Sequence, residues 1–337
     1  MPGSVARLYG ARMGAHGHGH GVGAGTDRRW LGAALGLIVT FMVGEFVVGL
    51  LAGSLALISD SAHMLTDAAS LVLALVAIRL AARPARGGYT YGLLRAEILS
   101  AQANGITLLL LAVWFVYEGV ERLLSPPEVA GLPVLVTALV GIVVNLAATW
   151  CISRADRSSL NVEGAFQHIL NDLFAFVATA VAGLAVLLTG FDRADAIAAL
   201  VVAALMVKAG WGLVRESGRI FLEAAPRGVD PDALGTRLAG LAGVAEVHDL
   251  HVWEITSGRP ALSAHVLVRP EADCHEVQKA IEAVLRGEHG LEHTTLQVDH
   301  CEDGADGAAR PADGADHCVD PHGPVHLPGP VEEQRAP

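Results

Sequence analysis

Apolar residues fall in blocks of about 20 or more along the first two thirds of this chain, each closed off by glycine, proline or arginine. A block of that length spans the roughly 30 Å of hydrocarbon in a bilayer. Only a helix or a closed barrel satisfies its backbone there. The pattern predicts six helical spans near 30–52, 55–81, 95–124, 132–153, 161–189 and 195–221. From Pro226 the pattern becomes that of a soluble domain. Residues 231–241 read as a short helix and 247–255 as a strand. The turn Thr256-Ser257-Gly258-Arg259 leads to a second strand at 261–268, where Leu262, Ala264, Val266 and Val268 share one face. Residues 273–286 have helical spacing through Val277, Ile281, Val284 and Leu285, and 294–298 alternate as a third strand. The order αββαβ suits helices on one face of a small sheet.

Composition agrees with this division. Of the 337 residues 52% are apolar and only 17% charged, against about 25% charged in an ordinary soluble protein. The net charge of −12 comes mostly from acidic residues after Glu223 and describes a solvated C-terminal part rather than a partner. No nucleic-acid partner is expected. The links after the first, third and fifth spans are short and poor in Lys and Arg, whereas Arg28, Arg29, Arg79, Arg83, Arg86, Arg95, Arg154, Arg157, Arg215, Arg219 and Arg227 lie on the other side. The positive-inside rule places that side, and both termini, in the cytoplasm. An even number of spans requires the same.

Cys151, Cys274, Cys301 and Cys318 show neither a CxxC spacing nor a disulfide framework. The first apolar block is too long for a signal-peptide core, and no cleavable signal is expected. Residues 1–29 are Gly-rich with His16, His18 and His20; residues 302–337 are Gly, Ala, Asp, Pro and His without period. Both read as disordered, the first with capacity to collect metal.

Two ionisable pairs stand inside the apolar blocks. The second span carries Ser59-Asp60-Ser61-Ala62-His63-Met64-Leu65-Thr66-Asp67, and the fifth carries His168-Ile169-Leu170-Asn171-Asp172. In each, His and Asp are four apart and so lie one helical turn apart on one face. Ionisable groups at membrane depth cost several kcal/mol unless partnered, and mark function by default. Two imidazoles and two carboxylates form the tetrahedral N/O set that Zn²⁺ favours, with no open position for a catalytic water. An intramembrane metallo-enzyme needs an open position and a general base, as in His-Glu-xx-His; neither appears, so no enzyme is expected. A membrane-bound metal sensor would not need ligands inside the membrane.

These motifs resemble the cation diffusion facilitator family of zinc exporters. The resemblance covers about residues 28–301 and rests on Ser59-Asp60-Ser61-Ala62-His63-xxx-Asp67, Tyr91-Gly92-xx-Arg95-Ala96-Glu97, His168-xxx-Asp172 and Val247-His248-Asp249-Leu250-His251-Val252-Trp253. It implies an α-helical membrane protein with six transmembrane helices plus a C-terminal cytoplasmic α+β domain (αββαβ, metallochaperone- or ferredoxin-like). The implied organisation is a tail at 1–29, a membrane domain at 30–222, a cytoplasmic domain at 226–301 and a tail at 302–337. It implies a transport site of His63, Asp67, His168 and Asp172, with His at the first position as in zinc-selective members. It further implies Zn²⁺ as cargo, with Cd²⁺ or Co²⁺ also acceptable to such ligands, protons as counter-substrate and a homodimer in the bacterial inner membrane. In the soluble domain it points to a metal site from His248, His265, Asp299 and His275, with Cys301 able to add a thiolate. It also implies a pair between Arg95 and Glu223 joining the two domains. The loop at 83–88 lacks His and Asp, so the additional site some members carry there is not expected. Glu45, Gln102, Asn104, Glu118 and Asn145 read as packing groups within spans, and Asp60 as either such a group or a residue of the exit path.

Overall fold

The computed structural model describes residues 22–52, 55–125, 131–191, 193–301 and 323–328. Its first part consists of six long helices: α1 (Val22–Ala52), α2 (Leu55–Ala81), α3 (Ala96–Leu124), α4 (Gly131–Ile152), α5 (Leu160–Thr189) and α6 (Arg193–Phe221). Among the described residues, five stretches are long and apolar enough to cross a membrane: Asp27–Val47, Ala96–Leu124, Leu135–Ile152, Leu160–Thr189 and Ala196–Phe221. The remaining helix, α2, has 27 residues and carries the polar sequence around Asp67. The N-terminal histidines, His317, Cys318 and His322 lie outside the described residues, as do the side chains of Asp60 and His63.

Small residues determine how closely the helices approach. A Cβ on Gly105 of α3 would sit 3.0 Å from the Gly210 carbonyl of α6, and one on Gly210 would sit 2.8 Å from the Gly105 carbonyl. The two glycines therefore bring these backbones into contact, as helices in lipid associate by close packing rather than by hydrophobic burial. The α4–α5 pair is seated where the Phe176 ring lies over Gly141. Leu31, Ile38, Leu71, Ile152 and Ile169 form a buried core among α1, α2, α4 and α5, and Leu108, Val202, Met206 and Leu213 form a second between α3 and α6. Large apolar side chains such as Leu110, Val113, Val143, Val181 and Leu188 point outward, the arrangement that hydrocarbon solvent requires.

The C-terminal part contains α7 (Pro231–Ala239), β1 (Val244–Thr256), β2 (Arg259–Val268), α8 (Cys274–His289) and β3 (His293–His300). The sheet order is β1-β2-β3, with β1 and β2 antiparallel and β2 and β3 parallel. Leu262, Ala264, Val266 and Val268 pack with Leu234, Leu238, Val277, Ile281 and Leu285 in a single core. Full burial of a Leu or Ile side chain contributes roughly 1.5–3 kcal/mol, so α7 and α8 are held mainly by this face. Local chemistry fixes their starts. The Asp230 carboxylate accepts from the Asp232 and Ala233 amides with Pro231 following, and Asp273 accepts from His275 and Glu276. Gly290 ends α8 in the left-handed region at φ 65°.

The hairpin between β1 and β2 docks onto the helical part. Arg95 at the start of α3 donates to the Ile255 carbonyl (3.2 Å) and pairs with Glu223 (3.3 Å). Thr256 Oγ1 donates to the Leu94 carbonyl at 3.3 Å. The first turn of α5 is capped from a distance. Its own Ser159 makes no side-chain cap and donates to Glu97 (2.9 Å), while the Leu160 amide donates to Ser257 Oγ (3.2 Å).

Candidate metal centre

Helices α2 and α5 run antiparallel, and two polar contacts give their register. Asn161 Nδ2 donates to the Ala74 carbonyl at 3.0 Å, and His168 Nε2 lies 3.0 Å from Asp67 Oδ1. Residue 168 is seven beyond 161 on α5, and 67 is seven before 74 on α2. The contacts therefore repeat after about two turns, or ~10 Å, on both helices. Asn161 and His168 thus share a face of α5, and that spacing is the signal by which Asn161, unremarked in the sequence, was available to find.

Asp67, His168 and Asp172 each offer a ligand atom, and these atoms lie within 4.8 Å of one another. Among the described residues this is the sole group of three or more His, Cys, Asp or Glu side chains so disposed. His168 is 1% exposed. Its Nδ1 and the Asp172 Oδ2 are buried without a hydrogen-bond partner among the described residues. Buried polar atoms in native proteins are otherwise almost always paired. In the deprotonated form, two carboxylates beside one neutral imidazole would form a net negative cluster, whose attraction for a cation rises as solvent is excluded. The donor set is two oxygens and one nitrogen, which suits a borderline divalent transition metal. His63 lies on α2 one turn before Asp67; its side chain is outside the described residues.

The proposed second cluster is dispersed within one chain. His248 is buried, with Nδ1 2.8 Å from Glu246 Oε1, and its ring lies 5.4 Å from that of His265 in an edge-to-face arrangement. His265 Nε2 is 3.7 Å from Asp249 Oδ2, and His251 Nε2 is 2.8 Å from Asp249 Oδ1. Asp249 takes φ 50° at an irregularity of β1, which turns its carboxylate toward both imidazoles. Asp299 is exposed and accepts from Gln297 at 2.9 Å, and His275 is exposed at the start of α8. The structure therefore brings His248 to His265 but not to Asp299 or His275. Glu246 and Asp249 are the close carboxylates that sequence reasoning passed over. Cys301 is buried, and that burial raises its thiol above the ordinary range.

An apolar helical assembly holding a buried carboxylate–imidazole cluster, joined to a small α/β domain, defines a metal-handling membrane protein. Residues 31–222 match the cation efflux transmembrane domain, and residues 226–301 match the cytoplasmic domain of cation efflux proteins. Over 279 residues the chain is 35% identical to the cadmium, cobalt and zinc/H(+)-K(+) antiporter of Bacillus subtilis, covering 82% of this chain and 90% of that protein. It is 36% identical over 279 residues to the metal cation efflux system protein CzcD of Cupriavidus metallidurans, covering 82% and 87%. Against the zinc transporter ZitB of Pectobacterium atrosepticum the identity is 34% over 283 residues, covering 83% and 88%. The chain belongs to the cation efflux, or cation diffusion facilitator, family.

Proposed function

We propose that this protein exports Zn²⁺ from the cytoplasm in exchange for protons, binding the ion between α2 and α5 through His63, Asp67, His168 and Asp172. The observation that carries this reading is the convergence of Asp67, His168 and Asp172 inside an apolar helical assembly. His63, one turn from Asp67 on α2, supplies the fourth ligand of a closed tetrahedral site, which carries an ion rather than activating a water. Charge balance supports proton coupling. With neutral imidazoles the two carboxylates are compensated by one divalent cation or by two protons, so loading one displaces the other. Histidine's reference pKa near 6.5 then favours release toward a slightly acidic compartment. Relatives named as zinc transporters and as a cadmium, cobalt and zinc antiporter support this cargo class, with Cd²⁺ and Co²⁺ as alternatives of similar ligand preference.

In this reading six helices span the inner membrane of a bacterium, with both termini in the cytoplasm. Residues 30–222 form the membrane domain, and residues 226–301 the cytoplasmic αββαβ domain of metallochaperone-like type. Residues 1–29 and 302–337 are tails. The cytoplasmic domain joins two copies as a homodimer, for which its match to a dimerising family domain is the support. It also holds a regulatory metal through His248 and His265, a role that Asp299 and His275 share only if metal binding draws them toward that pair.

The test uses purified protein in liposomes with an imposed pH gradient, following Zn²⁺ entry and lumenal pH together in wild type and His63→Ala. Zinc flux should move with an opposite proton flux, and both should vanish in the variant. Zinc flux without proton movement would refute the exchange, and unaltered flux in the variant would remove His63 from the site.

A further inference from the structure

The family domains end at residue 301, yet residues 323–328 fold back onto the soluble domain. The Val247 amide donates to the His326 carbonyl at 3.0 Å, and the His326 amide donates to the Val247 carbonyl at 2.8 Å. This is an antiparallel bridge on the edge of β1 that β2 does not occupy. His326 is 8% exposed, whereas its neighbours Val325 and Leu327 are 53% and 51% exposed. That alternation is the signature of a strand with one face buried.

The seat of the imidazole is shaped for it. The ring lies over Gly235 in α7, where a Cβ would collide with it. Glycine inside a helix is less favourable than alanine, so the missing side chain has a steric reason. The contact is also limited by design. In an antiparallel ladder the residues that exchange both hydrogen bonds recur every second position. Two positions either side of His326 stand Pro324 and Pro328, which have no N–H to donate. Docking therefore stops after one pair, and the segment is attached weakly enough to leave. The pinned residue, Val247, lies between Glu246 and His248, which are 2% and 5% exposed and hold one another at 2.8 Å.

We infer that the β1 edge at Val247, with the groove over Gly235, is a docking site for a short extended peptide bearing a central histidine. Its resident occupant is this chain's own 323–328 segment. Occupied, it closes an edge strand that would otherwise present free hydrogen-bonding groups to other chains, and it braces the backbone that carries His248. This recognition is strand addition, with main-chain pairing for affinity and one side-chain pocket for selectivity.

Residue-resolved hydrogen exchange on the full chain in detergent tests this, comparing wild type with His326→Ala and Gly235→Ala. Both variants should speed exchange of the Val247 amide by roughly tenfold or more and leave the core amides of Leu262 and Val266 unchanged, as expected for a local opening. An added peptide spanning residues 320–330 should restore protection in His326→Ala but not in Gly235→Ala, where the groove itself is filled. Gly235→Ala also separates docking from helix propensity, since propensity alone would slow exchange in α7 and leave Val247 untouched. His326 lies in a terminal segment outside the core, so His326→Ala folds and decides the question if the helix variant does not. Unchanged Val247 exchange in His326→Ala, or equal acceleration at Val266, would overturn the inference. So would Val247 protection that rises with protein concentration in that variant, which would make the edge a contact between copies.

Discussion

Replacing Asp172 by Asn tests the membrane site at its most informative atom. The change keeps shape and volume and removes one negative charge. Asp67 would be a less clean choice because its carboxylate already faces His168 Nε2 at 3.0 Å. Asp172 Oδ2 has no partner among the described residues, so the amide breaks no hydrogen bond there. A four-ligand zinc site in a protein is worth about 10–16 kcal/mol, and an even share per ligand is about 2.5–4 kcal/mol. At 1.4 kcal/mol per tenfold, zinc affinity should fall by roughly 10²–10³. Metal-free stability should move the other way, because one of two neighbouring carboxylates is neutralised in a water-poor site. The assay is equilibrium zinc titration of the purified protein, with thermal melting of the metal-free form alongside. Affinity within about threefold of wild type would remove Asp172 from the site. Lost affinity accompanied by a large drop in metal-free melting temperature would assign Asp172 a structural role instead.

Two further outcomes follow from the soluble domain and its docking. The Glu276 and His275 amides hold the Asp273 carboxyl below the usual carboxylate range. Its folded pKa is depressed, so its contribution is fully present above the unfolded value near 3.9 and is lost as pH falls through the lower folded value. Asp273→Asn, which keeps a capping oxygen, should therefore flatten the acid limb of the melting-temperature profile below about pH 4; an unchanged limb would refute the assignment. At the domain junction Arg95→Ala removes both the exposed Glu223 pair, worth about 0–1 kcal/mol, and the bond to the Ile255 carbonyl, worth about another 1 kcal/mol. Glu223→Gln loses only the ion pair. Protease cleavage between α6 and α7 should accelerate more in the Arg95 variant, and equal rates in the two would show that the Ile255 bond contributes nothing.

Much of the architecture follows from local patterning. The helix positions were legible because a long apolar block has few alternatives in lipid, and among the described residues five of these helices are apolar enough to span. The ends moved where hydrophobicity alone does not decide. Helix α1 starts at Val22, eight residues before its apolar block, and β1 runs from Val244 to Thr256 across two-sided irregularities that break strict alternation. The β1–β2 turn was readable from Ser257-Gly258 and the junction from the Arg95–Glu223 pair, but the turn's own attachment to α3 and α5 was not. There the Arg95, Thr256 and Ser257 side chains bond to the Ile255 and Leu94 carbonyls and the Leu160 amide, backbone groups that carry no residue signature.

The i, i+4 spacing of His63 with Asp67 and of His168 with Asp172 is set by helical periodicity, so each half of the proposed metal site could be read from sequence alone. That Asp67 meets His168 across 101 positions was decided by the antiparallel register of α2 and α5, which depends on how their buried faces pack. The same division separates the two outlying histidine groups. His248 and His265 were marked by the family motif, whereas the close carboxylates Glu246 and Asp249 depend on irregularities in β1. His326, in a stretch without periodicity, acquires its place only because a glycine on α7 and a free strand edge happen to lie together in the folded domain.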